Sequence, residues 1–291
     1  RRAGFLLAVS AACVLASVAL GGCATVTEGG ATTGSASAST TPRAGANPIA
    51  VIGDFGSGDD NERAVADLVA SQNPVAVLTV GDNVYSDAGY AALVGDYYGA
   101  FVAAEQFFPA TGNHDYENGI ANFDDYFGYL RGQRDYTVTL GRAEFFILDG
   151  EQGMASLDAN HNQESWLRRT ASESSADYKI VLVHYPPYSS GDRHGSTPDY
   201  QWDFAGMGIN LVISGHDHIY ERFEAGGVTY IVDGAGGKTL YACGDRVAGS
   251  IICDDSSFGA LFLIADDTHM FGQYLSSAGT VNDAFSIPAN R

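Results

Sequence analysis

Five short apolar runs in this 291-residue chain stop at a turn, and each turn places a polar residue at or just beyond the end of the run. Asp54 follows Ala-Val-Ile-Gly, Asp82 follows Leu-Thr-Val-Gly, and Asn113 follows Ala-Thr-Gly. His184 follows Val-Leu-Val, and His216 and His218 follow Val-Ile-Ser-Gly. Runs that are apolar at consecutive positions read as strands buried on both faces, which occur in parallel sheets covered by helices. Strands are expected at 49–52, 75–80, 107–110, 180–183 and 211–213, and a hairpin at 136–148. Helical spacing appears at 60–71, 88–103 and 161–172, the last with Trp166 and Leu167 on its inner side. Val228–Val232 and Leu261–Ala265 read as strands of a second sheet. The fold class is therefore α/β, with two sheets packed face to face and helices outside. Ligands of such sheets bind at the carboxyl ends of the strands, and a preceding Gly lets the chain turn sharply and approach closely.

Singly, these residues have plainer readings. An Asp after a strand caps a helix, Asn beside Gly makes a turn, and a loop His sits on the surface. Together with Tyr85 they make six or seven donors. That is too many for one catalytic metal with open positions, and it suits two metals sharing a bridging carboxylate. Oxygen and nitrogen donors without thiolate point to Fe, Zn, Mn or similar ions.

The blocks GDFG (53–56), GDNVY (81–85), GNHD (112–115), VLVH (181–184) and GHDH (215–218) resemble those of the purple acid phosphatases, within the calcineurin-like metallophosphoesterases. The resemblance covers about 49–270 and includes QESWL (163–167) and DGAGGK (233–238). It implies a four-layer αββα sandwich with two mixed β-sheets flanked by helices. It implies Asp54, Asp82, Tyr85 and His218 as ligands of a first metal, Fe(III). Asp82, Asn113, His184 and His216 would hold a second, Fe, Zn or Mn, with Asp82 bridging. Most calcineurin-like enzymes have Asp-x-His in the first block; here the third residue is Gly56, and Tyr85 would replace the missing His. His114 matches a residue that contacts the phosphate, and His194 one that assists the leaving group. Plant-type members have two adjacent His there, and this chain has Arg193-His194. Asp115 and Asp217 are expected either to orient an imidazole or to act as solvent-facing caps. His161 and His269 fit no motif.

The activity so implied is hydrolysis of small phosphomonoesters, by direct attack of water that the two cations activate as hydroxide. A phosphodiesterase on the same scaffold is the alternative, and a non-catalytic surface-tethered binding protein a third reading. The chain carries 15 Lys and Arg against 35 Asp and Glu, a formal net charge of −20. That excludes a nucleic-acid-binding surface and electrostatic docking on anionic lipid.

Residues 1–22 read as a signal peptide of lipoprotein type, since Cys23 directly after Leu-Gly-Gly resembles a bacterial lipobox. A plain signal or an uncleaved membrane anchor is the alternative. Residues 23–46 read as the lipidated Cys and a flexible Ser/Thr/Ala/Gly linker, and 47–291 as the metallophosphoesterase domain. The expected location is extracytoplasmic, at a bacterial cell membrane, with membrane contact through the lipid anchor only. Cys243 and Cys253 are expected to form a disulfide, a metal pair being the alternative. Oligomeric state has no signature in the sequence.

Overall fold

Alternation within the strands sorts their apolar side chains onto two faces, and those faces build three apolar layers. The computed structural model describes residues 47–290; the expectations for 1–46 lie outside the described residues. In chain order the principal elements are β1 (Ile49–Ile52), α1 (Asp60–Ser71), β2 (Ala76–Thr79), α2 (Asp96–Ala103), β3 (Phe107–Pro109), α3 (Asn113–Glu117) and α4 (Ile120–Tyr126). Next come β4 (Tyr136–Leu140), β5 (Ala143–Ile147), α5 (Gly150–Met154), α6 (Leu157–Glu173), β6 (Tyr178–Leu182) and β7 (Leu211–Ser214). The chain closes with β8 (Tyr220–Ala225), β9 (Val228–Asp233), β10 (Ser250–Asp254), β11 (Gly259–Ala265), β12 (His269–Ser276) and β13 (Val281–Pro288).

Six strands form one sheet in the order β13-β12-β11-β1-β2-β3, and seven the other, β10-β8-β9-β7-β6-β5-β4. The first is parallel on one side, β1-β2-β3 with β3 at the edge, and antiparallel on the other; the second has a parallel centre, β5-β6-β7-β9, with antiparallel flanks. Ile49, Val51 and Leu78 of the first sheet meet Phe145, Ile180 and Ile213 of the second in the central layer. The alternate residues Ala50, Ile52 and Val77 pack outward on Val65, Leu68 and Val69 of α1. Val181, Val183 and Val212 do the same on Leu167 and Ala171 of α6. This is the αββα sandwich. Both outer helices start on a side-chain cap: Asp59 accepts from Asn61 N and Glu62 N at 2.9 and 3.1 Å, and Ser156 from Ala159 N at 3.1 Å.

Three expectations need correction. Val228–Val232 and Leu261–Ala265 do not share a sheet: β9 pairs parallel with β7, whereas β11 pairs antiparallel with β1. Periodicity reports a strand's faces but not its partner. The 88–103 segment is not one helix, because a five-residue π-helical stretch, Ala91–Gly95, precedes α2. Trp166 is only half-buried, while Leu167 carries the inner face of α6. The antiparallel strands β8, β10, β12 and β13 have no counterpart among the expectations. The Cys243–Cys253 disulfide is present, with Cα atoms 6.3 Å apart.

Candidate metal centre

Asp54, Asp82, Asn113, His184, His216 and His218 all lie just past the carboxyl ends of the parallel strands β1, β2, β3, β6 and β7. There the two sheets turn their side chains toward one another. The Tyr85 hydroxyl donates to Asp54 Oδ1 at 3.1 Å and lies 3.0 Å from His218 Nε2, which is 3.5 Å from the same carboxylate oxygen. A second group faces it. His184 Nε2 lies 3.1 Å from Asn113 Oδ1, 3.1 Å from His216 Nδ1 and 3.5 Å from Asp82 Oδ1. Donor atoms of Asp54, Asp82 and His184 all lie within 4.8 Å of one another. The seven residues singled out in the sequence are thus brought together, in two groups with Asp82 between them.

The backbone here is strained where the donors sit. Asp54, Asp82 and His216 adopt left-handed φ values of 54°, 52° and 71°. Such values cost free energy in a non-glycine residue and concentrate at functional sites. The turn is therefore made largely by the candidate ligands themselves, while the flanking glycines provide room. A Cβ on Gly112 would run into the Asp82 carboxylate, and one on Gly215 into that of Asp54. His216 N donates to both Asp54 oxygens at 3.2 and 3.0 Å, and His114 N to Asp82 Oδ1 at 2.9 Å.

The charge balance fits cations. Asp54 and Asp82 are buried, and burial is the main cause that lifts both carboxyls well above their usual range; for Asp82 the neighbouring Asp54 comes next. Burial also pushes the imidazoles down, His184 to about 3, His216 to about 2 and His218 to about 4, so all three stay neutral lone-pair donors. His184 Nδ1 is held by Val80 O at 2.9 Å and His218 Nδ1 by Thr239 O at 2.8 Å. Those contacts leave each Nε2 facing inward without a proton. Paired buried carboxylates, neutral imidazoles, an amide oxygen and a phenol, with no thiolate, are a donor set for two Fe-, Zn- or Mn-type ions.

His114 and His194 stand at the mouth. The His114 ring lies 4.4 Å from that of Tyr85, with Nδ1 held by Glu117 at 2.8 Å. The His194 ring lies 3.9 Å from that of His216. Asp115 and Asp217 fulfil neither expectation. Both are fully buried, and both accept backbone N–H groups instead of orienting an imidazole. Asp115 takes Gly112 N at 2.8 Å, holding the Asn113 turn; Asp217 takes His194 N and Gly195 N at 3.1 and 2.9 Å. His161 and His269 lie outside the site: His161 is exposed on α6, and the His269 ring in β12 sits beside Thr268 and the Phe271 ring.

Sequence reasoning missed several neighbours. Tyr241 stacks on His218 at 4.0 Å, and Tyr185 sits edge-on to His184 and His216. The sequence signal of both was adjacency to the motifs. Arg193, named beside His194, lies over the Tyr241 ring, and Lys238, the last residue of the DGAGGK block, lies over that of Tyr85. A cavity of about 680 Å³ opens beside His114, lined by Val84, Tyr90, Tyr126 and the carboxylates Asp87, Glu117 and Asp125.

Fold and donor set together define a metal-binding αββα protein. The calcineurin-like phosphoesterase model matches residues 47–220, and the chain belongs to that family. It is similar to purple acid phosphatase 5 of Arabidopsis thaliana, 27% identical over 192 residues, covering 60% of this chain and 44% of that protein. It is 24% identical over 212 residues to the tartrate-resistant acid phosphatase type 5 of Oryctolagus cuniculus, covering 60% of this chain and 65% of that one. The chain thus spans less than two thirds of either relative. Among solved structures, the purple acid phosphatase PPD1 from yellow lupin seeds superposes with a TM-score of 0.67 at 18% identity, covering 83% of this chain and 53% of that one. GAP50, the anchor in the inner membrane complex of Plasmodium, gives 0.66 at 19%, covering 84% and 89%. At such identities the likeness shows the fold alone.

Proposed function

We propose that the protein is an exported binuclear-metal phosphoesterase that hydrolyses phosphomonoesters. The observation that carries this is the pair of donor groups on either side of Asp82, one with the Tyr85 phenol and one with the Asn113 amide. Asp54, Asp82, Tyr85 and His218 would hold Fe(III); Asp82, Asn113, His184 and His216 would hold Fe, Zn or Mn. Two such ions would lower the pKa of bound water to near neutrality and offset the phosphoryl charge. The chain's own residues do the rest. His114, its Nδ1 held by Glu117, turns its other nitrogen to the phosphoryl oxygens. His194, held through its backbone by Asp217, stands where a proton can pass to the departing alkoxide. Proton donation of that kind is worth about 10²–10⁴-fold.

Export and lipid anchoring at Cys23 are part of this reading. They are supported by the composition of residues 1–46 and by the disulfide, which an oxidising compartment preserves. A Cys23→Ser change moves the protein from the membrane to the soluble fraction if the anchor is real.

The test is turnover of an aryl phosphomonoester against an aryl phosphodiester by the purified protein, before and after removal of its metals. Metal-dependent preference for the monoester is expected. Preference for the diester moves the reading to a phosphodiesterase, and metal binding without turnover of either moves it to a binding protein.

A further inference from the structure

Two cations at the mouth of the centre are without a counter-charge in a chain rich in counter-charges. The protein has 35 Asp and Glu and only two Lys. Among the described residues, Arg134, Arg142, Arg168, Arg169, Arg222 and Arg246 all have carboxylate partners. Arg63, Arg131, Lys179, Arg193 and Lys238 have none within 4.0 Å, and of these five Arg193 and Lys238 are seated on rings of the site. The Arg193 guanidinium carbon lies 4.6 Å from the centroid of Tyr241, whose ring stacks on His218. Lys238 Nζ lies 4.6 Å from the centroid of Tyr85, and Lys238 N donates to Asp54 O at 2.9 Å. Cation–π seating holds a charge in place without neutralising it.

A cavity that shares Glu117 with His114 has the reverse sign. Glu117, Asp87 and Asp125 line the cavity beside His114 and repel a second anion there. Arg193 and His194 are neighbours in sequence, and they reach different parts of the centre: His194 packs on His216, and Arg193 on Tyr241, which in turn stacks on His218. A phosphoryl group held at the centre therefore has a free guanidinium on one flank. Its planar fork matches a phosphate or a carboxylate.

We propose that Arg193, supported by Lys238, gives the site a preference for phosphate esters and anhydrides that carry a second anionic group, phosphate or carboxylate, beside the phosphoryl that reacts. This rests on the phosphoesterase reading and names the substrate class within it. Tyr241 is the platform that aims the guanidinium, and Lys238 adds positive charge on the Tyr85 side.

Three phosphonates that cannot be hydrolysed test it on the metal-containing full-length protein by calorimetry: methylphosphonate, phosphonoacetate and methylenediphosphonate. The latter two are expected to bind about tenfold or more tightly than the first, the size of one charge-assisted contact. In Arg193→Gln that excess falls to about twofold, and Arg193→Lys restores part of it. The excess also shrinks as salt is added. Loss of the phosphonoacetate excess alone assigns a carboxylate, and loss of the methylenediphosphonate excess alone assigns a phosphate. An excess that survives Arg193→Gln belongs to chelation by the metals and overturns the proposal, as does equal binding of all three by the unmodified protein. Glycerol 2-phosphate turnover is measured alongside. Absent turnover with an Arg193-dependent excess sinks the phosphoesterase reading and keeps this one; turnover without that excess does the reverse.

Discussion

Asp82 stands between two groups of donors, and the consequences are sharpest at single residues. Its carboxylate faces His184, receives the His114 N–H and lies near Asp54, all in a buried setting. Asp82→Asn removes the shared charge, so both metals are expected to fall in elemental analysis. Activity should drop by more than the roughly 10–100-fold that outer residues of a metal site cost. Tyr85 makes a separate prediction. Its hydroxyl lies 3.1 Å from Asp54 Oδ1 and 3.0 Å from His218 Nε2 and reaches Asp82, all of them candidate ligands, so Tyr85→Phe leaves the ring's packing in place. If Fe(III) binds there, the aerobic protein absorbs visible light and the variant loses that band. A variant that keeps it refutes Tyr85 as a ligand.

At the scale of elements, the strand-end turns depend on glycines that give way to a neighbour's carboxylate. A Cβ on Gly112 would meet both the Asp82 carboxylate and Asp82 N. Gly112 itself has φ −121°, which any residue adopts, so the constraint there is space and not backbone freedom. Gly112→Ala should therefore lower stability by about 1–3 kcal/mol, as overpacking does, and displace Asp82 from the metals. Thermal melts and metal content on the same sample check this; unchanged values for both would show that the turn can relax. Buried Asn83 supports the same junction. It accepts from Thr79 of β2 at 2.7 Å and donates to Ala110 O beyond β3 at 2.8 Å.

For the whole molecule, the sandwich hides titratable groups whose cost depends on pH. Glu62 in the first turn of α1 is buried, accepts Gly58 N at 2.6 Å, and is pushed by burial from 4.5 up to about 8. Because the folded value lies above the unfolded one, its contribution is intact below pH 4.5 and is lost as pH rises toward 8. Glu62→Gln is thus expected to gain stability relative to the parent as pH climbs from 5 to 9, read as Tm at fixed metal concentration. A constant difference across that range would count against it. The Cys243–Cys253 bridge closes a ten-residue separation and ties the Tyr241 loop to β10. Changing both to Ser should cost about 2–3 kcal/mol in denaturant unfolding. Only one of these features was legible: a cysteine pair can be counted, but burial of Glu62 cannot be read from a helix start. Local pattern carried the strand runs, the helical spacing and the polar residues at strand ends, because each depends on neighbours a few positions away. It also carried the donor types, and with them the chemistry. What the tertiary structure alone decided are relations over long separations. It placed β9 and β11 in different sheets and set His216 N on Asp54, 162 residues away. It turned Asp115 and Asp217 into buried anchors for backbone N–H groups and seated Arg193 and Lys238 on rings of the centre. Such relations come from packing between distant segments, which leaves no period in the chain.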